Sequence, residues 1–143
     1  MSSFKVNKDE FNNTAYYRDK RTPYYSNINF IYPYIGNEND RYWLRLKFQY
    51  AADDWLFIEK IMIKTDTKDY TLYGRFERDN NSDIWEWHDI APDEGDIFML
   101  RDIANSKKAM VRYQGSKYHA DRTLTSKEKS IITKTLDIYD KLK

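Results

Sequence analysis

From Trp43 to Tyr50 apolar and polar side chains alternate without interruption: Leu44, Leu46, Phe48 and Tyr50 fall on one parity, and Trp43, Arg45, Lys47 and Gln49 on the other. A period of two marks a strand with one face in a core and one toward solvent. The same pattern predicts a strand over 27–35, with Ile28, Phe30, Tyr32 and Tyr34 on one side and Ile31 and Ile35 on the other. The polar run Gly36-Asn37-Glu38-Asn39-Asp40 closes it as a turn. Upstream, Ala15-Tyr16-Tyr17 followed by Thr22-Pro23 reads as an edge strand ended by a turn, and residues 1–13 as a polar, flexible start.

Downstream, Ala51-Ala52-Asp53-Asp54 turns the chain. Trp55 to Ile63 is then apolar on both parities, which predicts a central strand covered on two sides. Past Asp66-Thr67-Lys68-Asp69, the positions Tyr70, Leu72 and Phe76 continue as one strand through a bulge at Gly74. Asp79-Asn80-Asn81-Ser82-Asp83 interrupts the pattern, Ile84-Trp85-Glu86-Trp87-His88 alternates again, and Ala109 to Tyr113 returns to strand. Two segments have helical spacing instead. Over 93–105, Ile97, Leu100, Ile103 and Ala104 follow Pro92 and the acidic residues Asp93, Glu94 and Asp96, which complement the helix dipole. Over 125–142, Thr125 and Glu128 form a capping box ahead of Ile131, Ile132, Leu136, Tyr139 and Leu142 on one broad face.

Six or seven strands with short connections and two helices predict an α+β domain. Its sheet is mostly antiparallel, as a small sandwich or a curled sheet with the helices over one side or end. Four glycines, three prolines, no repeat and no low-complexity linker leave few natural breaks, so the 143 residues read as a single domain.

Composition narrows the chemistry. Aromatic residues reach 17%, so the core and any binding face rely on Tyr, Trp and Phe. Twenty-four basic against twenty-three acidic residues give a net charge of +1, which supplies no overall field toward nucleic acid or anionic lipid. The absence of cysteine removes disulfides, thiolate metal sites and cysteine nucleophiles. No apolar run has the length of a signal peptide or of a bilayer span, so the chain as written is expected to be cytoplasmic. A removed leader would make it an exported protein or lipoprotein.

Several strings together carry a resemblance: Tyr34-Ile35-Gly36, Trp43-Leu44-Arg45-Leu46, Tyr50-Ala51-Ala52-Asp53-Asp54-Trp55-Leu56-Phe57-Ile58, Arg75-Phe76-Glu77-Arg78-Asp79, Ile84-Trp85-Glu86-Trp87, and Arg112-Tyr113-Gln114-Gly115 through Asp121-Arg122-Thr123. From about Thr14 onward the chain resembles a family of small, uncharacterised bacterial proteins. Some of these are lipoprotein-like or exported, and others, phage or mobile-element copies among them, lack a leader. The resemblance implies one domain and brings no activity, cofactor or catalytic residue with it.

Motifs exclude more than they assign. Gly36, Gly74, Gly95 and Gly115 are scattered singly, which is no phosphate cradle. The only histidines, His88 and His119, lie on different elements, and no serine-hydrolase elbow is present. Asp79-x-Asn81-x-Asp83 matches half of a calcium loop, then fails where Ile84 replaces the turn glycine and Ile90 the bidentate glutamate. No metal and no cofactor is expected. Glu86 and His88 share one face of a strand, and His119 stands near Asp121. Either pair is a candidate acid and base for an enzyme acting on a glycan or nucleotide. Trp85 and Trp87 share the opposite face from Glu86, and Trp43 stands beside Arg45 and Lys47. Exposed together, with Arg112, they would form an aromatic and cationic platform; the alternative is that one of the helices covers them. In the C-terminal segment Arg112, Lys117, Arg122 and Lys127 interleave with Tyr113 and Tyr118. Asp121 and Glu128 favour ion pairing within the chain there over nucleic-acid binding.

The leading expectation is a non-enzymatic binding module that holds a protein partner or small polar ligand through Trp43, Arg45, Trp85, Trp87 and Arg112. The alternatives are the enzyme using Glu86 and His88 or His119 and Asp121, and a structural component of an envelope or mobile element.

Overall fold

The computed structural model describes residues 3–143, and its elements are strands β1 (Phe4–Asp9), β2 (Thr14–Asp19), β3 (Phe30–Glu38), β4 (Arg41–Ala52), β5 (Ile58–Lys64), β6 (Asp69–Tyr73), β7 (Glu77–Asn80), β8 (Ile84–Ile90), β9 (Met110–Gly115) and β10 (His119–Thr123), with helices α1 (Glu94–Asn105) and α2 (Ser126–Leu142). The strands form two antiparallel sheets, one of six strands in the order β1-β2-β3-β4-β8-β7 and one of four in the order β10-β9-β5-β6. The expected α+β architecture is therefore found. None of the helices among the described residues is long and apolar enough to cross a membrane.

One core joins the sheets. Ile31, Ile35, Leu44, Leu46 and Phe48 from the larger sheet and Ile61, Ile63, Val111 and Tyr113 from the smaller belong to it. Met99, Leu100 and Ile103 of α1 and Ile132 and Leu136 of α2 complete it. A second, smaller cluster joins Phe30, Tyr32 and Tyr34, on the opposite face of β3, to Ile131. Consecutive isoleucines thus serve two clusters, because α2 lies along the free edge of β3. That edge is free because β2 pairs only over Thr14–Tyr17 and then turns away: the Asp19 carboxylate accepts the Arg21 N–H at 2.9 Å. The orphaned Ile31 N–H donates to the Glu128 carboxylate at 2.8 Å. Glu128, fully buried, also accepts the Thr125 N–H at 3.0 Å and both Arg122 Nη atoms at 2.7 Å. The predicted capping box is thereby also the bolt between α2 and both sheets.

Several expectations are corrected. The segment expected as a flexible start contains β1, whose Phe4 is buried; Met1 and Ser2 lie outside the described residues. The strand at Ala15–Tyr17 is interior and β1 is the edge. β3 runs on to Glu38, and only Asn39 and Asp40 turn, both at positive φ, as a two-residue I′ hairpin requires. The strand expected from Trp55 starts at Ile58; it is central in hydrogen bonding, but its outer side chains Glu59 and Lys64 are exposed. No strand runs through Gly74: the chain leaves the four-stranded sheet there and re-enters the other as β7. A Cβ at Gly74 would stand 2.2 Å from His88 Nε2, so the crossing is where backbone and imidazole pack without a side chain between them. β10, unassigned by periodicity, pairs with β9 from His119 to Thr123.

Candidate binding face

Strand registers place the aromatic and cationic residues. On β4 the core side is Leu44, Leu46, Phe48 and Tyr50, so Trp43, Arg45, Lys47 and Gln49 point outward. Opposite them stand Gly36, Tyr34, Tyr32 and Phe30 of β3 and, facing Lys47, Gln49 and Ala51, the residues Asp89, Trp87 and Trp85 of β8. Tyr16 faces Gly36 from β2. The three tryptophans are half-buried and belong to neither apolar cluster. The β3 part of this side is closed over: Phe30, Tyr32 and Tyr34 are buried with Ile131 of α2, and Gln49 is buried beneath the loop of Tyr25 and Ile28, so what stays partly exposed is Trp43, Arg45, Lys47, Trp85, Trp87 and Arg18.

The face has two aromatic ends and a charged middle. At one end the Trp43 indole lies on bare Gly36, where a Cβ would come within 2.3 Å of the ring, and Tyr16 meets it edge-on with centroids 6.2 Å apart. Trp87 faces Gln49, six residues along β4 from Trp43, about 20 Å at ~3.4 Å per residue. The three rings therefore do not form the single platform expected of them.

Between the ends, Asp89 accepts Arg45 Nε at 2.9 Å and the Tyr34 hydroxyl. Burial and that bond to a carboxylate push the Tyr34 hydroxyl's pKa up. The Arg18 guanidinium sits 4.0 Å from the Tyr34 ring centroid, a cation–π contact. Lys47 donates to Ser26 Oγ at 2.8 Å, and its pKa is lowered, first by burial and then by Arg18. Lys5 donates to the Thr22 carbonyl at 3.0 Å. Among the described residues, Lys5, Arg18 and Lys47 have no carboxylate within ion-pair distance. Arg18, Arg45 and Lys47 thus stand around the carboxylate of Asp89, while Lys5 lies out on the edge strand beside Arg18.

Arg112 is not on this face. It lies on the outer side of the four-stranded sheet, paired with Asp121 through Nε at 2.7 Å and Nη2 at 2.8 Å. Those bonds hold the Asp121 carboxyl below its ordinary pKa. With both Asp121 oxygens engaged and His119 exposed on the same strand, the pair His119 and Asp121 is not set up for proton transfer.

Glu86 and His88 do share a face, but it is the inner one. Glu86 is fully buried and accepts three successive amides, Leu56 N and Ile58 N at 2.8 Å and Phe57 N at 3.0 Å, with Arg78 Nε at 3.4 Å. His88 stacks on Phe76, with centroids 5.2 Å apart. No hydrogen bond joins Glu86 to His88, and the carboxylate has no access to solvent, so the expected acid–base pair is not formed. Three convergent N–H groups make an anion nest, here filled by the protein's own carboxylate. Within it Phe57 adopts φ 55°, a left-handed conformation that is an outlier for a bulky side chain.

The residues that periodicity missed are Tyr16, Arg18, Tyr34 and Asp89. Parity within each strand was legible, but only the pairing of β2, β3 and β8 with β4 puts all four on the side of Arg45. The 53–57 loop was missed because its apolar run looks like a strand. It presents Phe57 (49% exposed) at the end of the small sheet where Tyr73 (76%) and Tyr118 (73%) also stand.

The Asp79–Asp83 segment is a plain hairpin turn, with Asn81 Oδ1 accepting the Asp83 N–H at 3.1 Å. No group of three or more His, Cys, Asp or Glu among the described residues is placed to hold a metal ion. The class these features define is a two-sheet antiparallel α+β domain with one partly exposed aromatic and cationic sheet face. Comparison with known protein families, curated proteins and solved structures finds no match.

Proposed function

We propose that this chain is a non-enzymatic binding module whose six-stranded sheet holds an acidic segment of a partner protein on its aromatic and cationic side. One observation carries the reading: Trp43, Arg18, Arg45, Lys47 and Trp87 lie partly exposed on one side of the six-stranded sheet, with three cations near the one carboxylate of Asp89. Half-buried cations lose less hydration on binding than free ones, and flanking indoles add apolar area at little conformational cost. The cations are spread over β2 and β4 between Trp43 and Trp87, a span of about 20 Å that suits a macromolecule better than a small molecule. Asp53, Asp79 and Asp83 at the Trp85 end repel any anion, so an acidic occupant is confined to the stretch from Trp43 to Lys47, which a short Glu/Asp segment fits better than a phosphate backbone running across the whole sheet. The enzymatic alternative is not favoured, because Glu86 is enclosed by three amides and Asp121 is held by Arg112.

The test is fluorescence anisotropy with a short Glu/Asp-rich peptide, a neutral Gly/Ser peptide and an oligothymidylate. The acidic peptide is expected to bind, to weaken as salt rises, and to lose about tenfold in affinity with Arg18→Ala plus Lys47→Ala in a chain whose melting curve is retained. Equal binding by that variant, or binding of the oligothymidylate in place of the peptide, overturns the proposal.

A further inference from the structure

The Trp85 end of the same face differs from its centre. Trp85 faces only the methyl of Ala51 on β4, so one side of the indole lacks a large neighbour. A cleft of 190 Å³ opens there between Asn27, Asp53, Asn81, Asp83 and Trp85. It adjoins a second of 350 Å³, which shares Asn27, Asn81 and Trp85 and reaches Tyr25. The second volume is in the lower range of small-ligand sites, roughly 300–1,000 Å³. The loop that forms the wall is tied to the sheet: Gln49 Nε2 donates to the carbonyls of Tyr25 at 3.3 Å and Ile28 at 3.1 Å, and Ser26 Oγ receives Lys47.

The polar groups lining the cleft are largely free. Asn27 makes no side-chain hydrogen bond among the described residues, the Asn81 amide NH₂ donates to nothing, and the carboxylates of Asp53 and Asp83 have no ion-pair partner. The cleft therefore offers one aromatic face, two amides that both donate and accept, and two carboxylates that only accept. Two unpaired negative charges exclude a phosphate, a uronic acid or any other anion. A ligand with an apolar C–H face and a rim of neutral hydroxyls satisfies every one of these groups.

We propose that the Trp85 cleft is a binding subsite for a neutral saccharide. One sugar ring lies against the indole, donates hydroxyls to Asp53 and Asp83, and exchanges hydrogen bonds with the amides of Asn27 and Asn81. This goes beyond the acidic-partner reading and does not depend on it.

The experiment titrates the full ¹⁵N-labelled chain with neutral mono- and disaccharides (glucose, galactose, N-acetylglucosamine, maltose, cellobiose). It follows the four indole N–H cross-peaks, that of Trp85 being identified by its loss in Trp85→Phe. At least one sugar is expected to shift the Trp85 indole and the Asn27 and Asn81 side-chain amides saturably, with a Kd of order 1 mM for one ring. Trp85→Ala and Asn81→Ala should each weaken that binding about tenfold, whereas Trp85→Phe, which keeps a stacking face, should stay within about threefold. Asn81→Ala serves as the second variant if Trp85→Ala does not fold. The inference is overturned if no sugar moves the Trp85 indole at about 50 mM, well above that constant. It is equally overturned if glucuronate, choline or arginine moves it and neutral sugars do not. Peptide binding measured in parallel keeps the two readings apart: either can fail while the other stands.

Discussion

Replacing Glu86 with glutamine tests whether this carboxylate is an internal anchor or a reactive group. In the native chain its Oε2 accepts Leu56 N and Phe57 N, and its Oε1 accepts Ile58 N. Glutamine has the same shape but one acceptor oxygen. Placed at the Oε2 position, that oxygen keeps two bonds at the strength of neutral pairs, while its NH₂ faces the Ile58 N–H, leaving two donors opposed in a dry site. Hydrogen bonds to charged groups contribute about 1.5–3 kcal/mol each, and neutral ones about half that. Taken at the lower end of that range, one bond lost and two weakened come to about 3 kcal/mol. The 3.4 Å contact with the part-exposed Arg78 adds about 0–1 kcal/mol. For a chain of this size each kcal/mol lowers Tm by roughly 3–4 °C, so a drop of about 10 °C is expected. Urea unfolding followed by tryptophan fluorescence measures it directly. The same substitution should release the 53–57 loop, seen as faster amide exchange at Leu56–Ile58. A loss below about 1 kcal/mol, or unchanged protection of those amides, would refute the anchoring role.

Three further predictions concern the helix, the sheet face and pH. Thr125→Ala removes the Oγ1 acceptor of the Glu128 N–H and should cost about 1–2 kcal/mol in thermal unfolding, whereas Thr125→Ser should be nearly neutral. Gly36→Ala places a Cβ 2.3 Å from the Trp43 indole; the ring, half-exposed, should swing outward at a cost of about 1 kcal/mol, and its fluorescence should become more accessible to iodide. Burial lowers the His88 pKa, so the unfolded chain binds a proton below about pH 6.5 that the folded chain resists. Stability is therefore full above pH 6.5 and declines as pH falls toward the depressed folded value. His88→Phe should flatten that decline in denaturation midpoints measured from pH 7.5 to 5, and an unchanged slope would show that His88 is not its source.

The elements that local pattern determines were legible in the chain. β4 and α2 carry their own periodicity and, for α2, its own cap, so nearest neighbours along the sequence suffice to specify them. The α+β class follows from the same information. The sheet to which each strand belongs was not legible. β6 and β7 read as one strand through Gly74, yet they lie in different sheets, because the crossing is set by how closely the backbone approaches His88, 14 residues further along the sequence. The 53–57 loop read as strand because its side chains are apolar. Its conformation is imposed by a carboxylate from β8 that takes three amides no sheet partner could reach at once.

The candidate site divides the same way. Sequence alone put Trp43, Arg45 and Lys47 on one side of a strand and Trp85 and Trp87 on one side of another, since alternation within a strand is local. It also put Glu86 and His88 together, correctly as to parity. Only strand pairing could decide which side faces the core, and that decision buried Glu86, left the tryptophans outside, and sent Arg112 to the other sheet to pair with Asp121. The physical reason is that a strand's period specifies two faces but not their destinations: burial is allotted by long-range pairing and by where α1 and α2 pack.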